Sequence, residues 1–232
     1  DCRPDGRRIL LIVPDLTRTC PLGIVFRRLY DNLAPRTRQL DCLMALGTHP
    51  AMSMEQIYTR MEITAEEHQT RFPKVRFFNH DWKNPDQLIQ VGRLTKRDIH
   101  DITDGRFELD IDVTCSRRVQ DYDLLLMIGP VFPHEVVGFS GGNKYLFPGI
   151  SGPEVLNFFH WLGAVITSPV IIGNADTPVR RVVDRAAAMV PAERRALCMV
   201  VRGHDLAGLY TGTPEAAWAD AAALSRQLHI EY

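Results

Sequence analysis

Short apolar runs alternate along the chain with longer stretches in which apolar residues recur every three or four positions. Residues 8–13 (RILLIV) form a run of strand length, and 22–33 follow with Leu22, Val25, Phe26, Leu29 and Leu33 on one helical face. The same reading predicts further strands over 40–46, 74–78, 107–113, 123–128, 169–172, 196–202 and 228–231. It predicts helices from 53 toward 71 and over 152–162, 177–189 and 214–227. Ser53 with Gln56 three residues later has the pattern of a capping box. Residues 123–128 (DLLLMI) read as a fully buried strand, and 107–113 alternate like a half-exposed one. Strands alternating with helices imply an α/β fold: a largely parallel sheet covered by helices, in a Rossmann-like three-layer arrangement. No Pro/Gly/Ser-rich linker divides the chain, so it reads as one domain.

Composition narrows the function classes. The 232 residues are ample for a buried core. Lys and Arg total 27 against 28 Asp and Glu, a net charge of -1, which argues against a surface built to coat nucleic acid. The longest apolar runs are about six residues, whereas a helix crossing a bilayer needs ~20, so no membrane partner is expected. The cysteines (Cys2, Cys20, Cys42, Cys115 and Cys198) are odd in number and widely spaced, with no C-x-x-C. That speaks against a disulfide framework or a zinc knuckle. Cys42 and Cys198 lie in apolar runs and are expected to be buried thiols, which fits a cytoplasmic location. Asp1 and Tyr232 are expected to be cut points in a longer protein.

In open α/β sheets, ligands sit beyond the carboxyl ends of the strands. Three predicted strands run into polar residues there. The first is followed by Asp15, Thr17 and Arg18, the second by Gly47, Thr48 and His49, and the strand at 123–128 by Pro133 and His134. Singly, an Asp after a strand is a turn former and a lone His is structural. Together they point to a site.

The densest segment is 136–149 (VVGFSGGNKYLFPG). Its glycines around Ser140 can turn backbone N–H groups toward an anion, and Lys144 follows directly. It is not a nucleotide-triphosphate loop, which needs Gly before the Lys and Ser or Thr after it, where Asn143 and Tyr145 stand. His160 lies among aromatics on a predicted helix, either as a buried structural histidine or as a metal ligand. It has no second His at helical spacing.

The pieces D-x-T-R at Asp15–Arg18, G-T-H at 47–49, P-H at Pro133–His134, GFSGGNK at 138–144 with FPG at 147–149, and His160 resemble, in order and spacing, the N-terminal domain of the nickel-dependent lactate racemase family. The resemblance implies a nickel-pincer nucleotide (pyridinium-3,5-bisthiocarboxylic acid mononucleotide) bound through a thioamide to Lys144, with His160 as the one protein ligand to nickel. It places Ser140, Gly141 and Gly142 against the nucleotide. It implies racemisation or epimerisation of a 2-hydroxy acid, in which hydride passes to the cofactor and back. His49 and His134 act as the two acid–bases, Arg18 holds the substrate carboxylate, and Asp15 orients a histidine or the arginine. It further implies cofactor-synthesis enzymes as partners and a C-terminal domain that closes the site. On that basis residues 1–232 are one domain of a two-domain enzyme, inactive when isolated. The alternatives are a non-racemising homologue that binds the nickel or nucleotide cofactor, and an unrelated enzyme with a Schiff base at Lys144. His68, His80, His100, His204 and His229 read as surface residues. Trp82 and Trp218 read as packing residues, and Trp161 as either packing or cofactor pocket.

Overall fold

A computed structural model describes residues 3–203 and 205–230. β1 (Arg8–Pro14) runs parallel to β2 (Gln39–Ala45), with α1 (Leu22–Leu33) as the crossover between them. α2 (Met54–Met61) and α3 (Ala65–Thr70) lead to β3 (Phe77–Asn79), parallel to β2. β4 (Leu88–Leu94) and β5 (Ile111–Ser116) pair antiparallel outside the main sheet, joined through α4 (Lys96–Ile102). β6 (Leu124–Pro130) then enters the main sheet beside β1, and β7 (Pro133–His134) and β8 (Gly138–Phe139) form a small hairpin after it. α5 (Pro153–Ile166), α6 (Ser168–Ile171) and α7 (Pro178–Ala187) precede β9 (Glu193–Arg202), β10 (Asp205–Gly212) and α8 (Pro214–His229). Among the described residues the main sheet has the order β10-β9-β6-β1-β2-β3, parallel throughout except for β10 against β9.

Alternation along β1 builds two cores. Ile9, Leu11 and Val13 pack with Leu22 and Phe26 of α1 and with Ile57 and Met61 of α2. Leu10 and Ile12 face the other way, into a core shared with Phe158 and Phe159 of α5, Val179 and Val183 of α7, and Trp218 of α8. Each such side chain contributes roughly 1.5–3 kcal/mol when fully buried, so a strand apolar on both faces belongs in the middle of the sheet. This is the three-layer α/β fold that the pattern implies.

Several elements depart from the pattern. Ser53 and Gln56 do form the capping box, but Glu62 is left-handed and ends α2, after which Thr64 starts α3 with a second box through Glu67. Residues 169–172 are not a strand: Pro169 sits in the first turn of the short α6. Residues 228–229 continue α8, where Ser225 and His229 are hydrogen-bonded at 2.9 Å, and Glu231 lies outside the described residues. The strand expected over 107–113 starts only at Ile111, because the Thr103 hydroxyl accepts the Phe107 amide and closes a turn there. β4 and β10 were not anticipated, since Gly92, Gly208 and Gly212 blur their alternation.

Among the described residues no helix is long and apolar enough to cross a membrane. Cys20, Cys42, Cys115 and Cys198 are free and buried, and Cys2 lies outside the described residues.

Candidate functional site

β1, β2 and β6 are neighbours in the sheet, and the segments leaving their carboxyl ends enclose a cleft of about 240 Å³. Asp15 and Arg18 enter it from the first, Gly47 and His49 from the second, and His134 from the third. Ser140, Gly141 and Lys144 form its floor, and Phe159 and His160 of α5 close one side.

Asp15 is buried and accepts three hydrogen bonds. The Thr17 amide (3.0 Å) and hydroxyl (2.5 Å) go to Oδ1, and His49 Nδ1 reaches Oδ2. Burial would raise its pKa, but the bonds from Thr17 and His49 outweigh it and hold the carboxyl below the usual value. The carboxylate accepts a hydrogen bond from His49 Nδ1–H, which leaves Nε2 as a free lone pair on a half-exposed ring. His49 is therefore set up as a base.

His134 has the opposite arrangement. The Val136 amide donates to its Nδ1 at 3.1 Å, so the neutral ring carries its proton on Nε2. Glu135 Oε2 lies 3.6 Å from the same nitrogen, beyond hydrogen-bond reach, and does not change this. Burial above all, then the nearby charges of Lys144, Arg18 and Arg180, push the pKa of His134 down to about 2.

Lys144 lies within a single 3-10 turn, Gly142–Tyr145, and its Nζ sits 5.7 Å from the centre of the Phe159 ring. Among the described residues no carboxylate pairs with it. Burial, then Arg18 and Arg180, lower its pKa to about 7, against opposing effects of Glu135 and Asp15. Such an amine is largely unprotonated just above neutrality and is a usable nucleophile. The Arg18 guanidinium lies 5.5 Å from the Phe132 ring centre, also without a carboxylate partner among the described residues. His160 Nδ1 is bonded to the Leu156 carbonyl at 2.9 Å, which requires the proton on Nδ1 and leaves Nε2 free to bind a metal. Among the described residues no group of three or more His, Cys, Asp or Glu side chains is placed to hold a metal ion by itself.

The glycine loop is less open than its sequence suggests. The Ser140 hydroxyl donates to the Pro130 carbonyl (2.9 Å) and accepts the Phe132 amide (3.0 Å), so it is engaged within the fold. The Ser140 amide goes to the Phe132 carbonyl and the Gly142 amide to the Cys198 sulfur. Ser140 and Gly141 line the cleft, but Gly142 lies behind it, where a Cβ would meet Trp218 at 2.9 Å.

Of the histidines read as surface residues, His80 is buried and bonded to the Ser151 carbonyl at 2.9 Å, and burial lowers its pKa. His68 and His229 are half-buried, His100 is exposed, and His204 lies outside the described residues. Trp161 packs edge-on against Phe107 and is not part of the cleft wall. Trp218 does pack in the core, and its indole N–H also holds the Ser140 carbonyl at 2.8 Å. Thr17, Glu135 and Arg180 are the contributors that motif reading passed over. Thr17 stood inside D-x-T-R, so its spacing to Asp15 was the available signal.

Fold and cleft together define an α/β domain with a polar cleft beyond the carboxyl edge of its central parallel strands and a lysine of lowered pKa within it. A family profile described as the lactate racemase N-terminal domain matches residues 1–170, and the chain belongs to that family. It is 24% identical over 158 residues to a lactate racemase of Thermoanaerobacterium thermosaccharolyticum, an alignment covering 67% of this chain and 33% of that protein. A crystal structure of a protein from Thermotoga maritima superposes with a TM-score of 0.88 at 32% identity, covering 98% of this chain and 56% of that one. The lactate racemase apoprotein of T. thermosaccharolyticum superposes with a TM-score of 0.76 at 21% identity, over 95% of this chain and 49% of that one, and shares its fold. The chain thus spans between a third and about half of the length of these relatives.

Proposed function

We propose that this chain is the cofactor-bearing part of a nickel-dependent racemase or epimerase of 2-hydroxy acids, lactate or a related acid. The observation that carries the reading is the unpaired Lys144 amine, with a pKa near 7, in a cleft where Arg18, His49, His134 and His160 meet. These side chains fit a nickel-pincer nucleotide. Lys144 would hold it through a thioamide, and His160 would offer Nε2 to the nickel, whose other ligands the nucleotide brings. When bound, such a group supplies an acceptor that takes the hydrogen of the reacting carbon and returns it. Ser140 and Gly141 line the cleft beside Lys144 and would lie against such a group.

The chain's own groups do the rest. Arg18 offers a planar fork to the substrate carboxylate. His49, held by Asp15, accepts the hydroxyl proton at Nε2 for one hand of the substrate, and His134 would serve the other hand in the tautomer that gives up the Val136 bond and leaves Nε2 unprotonated. Loading would prepare His134 for this task. Acylation uncharges Lys144 and a bound carboxylate neutralises Arg18, which removes the two largest charge effects that keep His134 from taking a proton. Racemisation is proposed for a form that also has a C-terminal domain, and the 232 residues alone are expected to be inactive. Four buried free thiols support a cytoplasmic location.

The test is intact mass and metal analysis of protein co-expressed with the cofactor-synthesis enzymes. A sulfur-bearing adduct on Lys144 with one nickel is expected, and an unmodified Lys144 without nickel would overturn the reading. Interconversion of D and L acid by the two-domain form, lost on His49→Ala or His134→Ala, separates a racemase from a homologue that only binds the cofactor.

A further inference from the structure

The loop before Lys144 is held from below by residues that lie beyond the matched family region. Arg180 of α7 is buried, and its nearest carboxylate, Asp184, is 4.0 Å away. Its Nη2 donates to the Phe139 carbonyl at 2.5 Å, and its Nη1 reaches the Gly141 carbonyl at 3.4 Å. Its guanidinium carbon lies 4.1 Å from the centre of the Trp218 ring, and Trp218 donates to the Ser140 carbonyl. Three successive carbonyls, those of residues 139, 140 and 141, are thus tied down by two side chains stacked on each other. Asn143 extends the anchorage, donating to Asp184 (2.9 Å) and Glu215 (2.8 Å) and accepting from Arg194 (3.1 Å). Lys144 comes next in the chain.

Burying a guanidinium without a close carboxylate is costly, and here Nε has no hydrogen-bond partner among the described residues. An apolar side chain would fill the same space at less cost. What the arginine provides is two directed donors on the loop and a fixed positive charge near the lysine.

We propose that Arg180, stacked on Trp218, is the positioning residue of Lys144: it locks the carbonyls of residues 139–141 so that the lysine amine is presented, unpaired, in the cleft. The proposal rests on Lys144 being the reactive amine of the site, not on what that amine carries. The charged and titratable groups around the amine are Arg18 and Asp15 after β1, Glu135 and His134 after β6, His160 on α5 and Arg180 on α7. Arg180 is among the groups that lower the pKa of Lys144.

The test is trace acetylation of the purified chain with acetic anhydride between pH 5.5 and 10, read by peptide mass. The amine nitrogen forms a bond to the acyl carbon, acetate leaves, and the amine proton goes to solvent. Exposed Lys74, Lys83 and Lys96 serve as internal references. Wild-type Lys144 should be half-maximally reactive near pH 7. Arg180→Gln should raise that midpoint by about one unit, which lowers labelling at pH 7 about fivefold. Arg180→Lys should restore at least half of the shift, because it keeps the charge but cannot span two carbonyls. Trp218→Phe keeps the stacked ring, loses the indole donor and should give a smaller rise.

A folded Arg180→Gln protein with an unchanged Lys144 profile overturns the proposal. If that variant does not fold, unchanged profiles in both Arg180→Lys and Trp218→Phe overturn it. A labelling shift in protein that never acquires an adduct on co-expression would sink the functional reading and leave this one standing.

Discussion

Lys144 has an aromatic ring 5.7 Å from its amine, two arginines nearby and, among the described residues, no carboxylate paired with it. Its pKa in the fold, about 7, lies below the ordinary value of 10.5. Below pH 7 the amine is charged in both the folded and the unfolded chain, and the folded state bears the full cost of enclosing it. Above 10.5 it is neutral in both and the cost is gone. Lys144→Met should therefore stabilise the domain at pH 6–7 by about 1–2 kcal/mol, less than the full shift because the cleft admits water. The gain should vanish near pH 10.5, and urea unfolding at the two pH values is the measurement. A variant no more stable than wild type at pH 6.5 would refute this. By the same argument acylation of the amine, as in the proposed cofactor linkage, would stabilise the domain. His49 could be placed from the strand end that it follows and Lys144 from its glycine-rich segment, whereas His160 joined them only through the resemblance to the family. Arg180 could not be read that way. In PVRRVVDRAA it resembles one more charge on the polar face of an amphipathic helix, and only the packing of α7 under the loop turns it inward.

Turns between elements set the site as much as the elements do. Gly138 opens β8 with φ +89°, and a Cβ there would stand 1.8 Å from the Asn174 carbonyl oxygen. Backbone must move to admit it, and the bond from the Gly173 amide to the Gly138 carbonyl at 3.0 Å would be strained as well. Gly138→Ala should cost about 3 kcal/mol or more, measured by urea unfolding, and a loss under 1 kcal/mol would show that the turn can yield. The elements most legible in the sequence were those whose pattern agrees with their burial. α1 carries most of its apolar residues on one face, and β6, like β1 after Arg8, is apolar throughout because both faces are covered. Where local preference and packing disagree, packing decided. Val170, Ile171 and Ile172 favour a strand, yet Pro169 begins a helical turn there. Leu228 and His229 extend α8 because Ser225 and the Val201 carbonyl both bond to His229.

Across the whole molecule, acid should act first through histidines that the fold keeps neutral. His134 has a pKa of about 2 and His80 a lowered one, both from burial in the first place, whereas the unfolded ring takes its proton near 6.5. Between those values the unfolded chain binds more protons, so stability is full above pH 6.5 and falls as pH drops below it. Going from pH 7 to 4.5 should cost about 2 kcal/mol through His134 alone. Urea midpoints at the two pH values test this, and His134→Gln should flatten the difference. Equal midpoints for the wild-type chain would contradict it. The two rims of the main sheet have a consequence of another kind. β3 is three residues long, and β10 is kinked by a register shift between Leu206 and Gly208. Leu206 and Leu209 are exposed on that outer strand, which would otherwise be a template for strand addition by another chain. A stub at one rim and a bend at the other deny an incoming strand a straight run of backbone partners. Edge geometry of this kind disfavours propagation of the sheet from one molecule to the next.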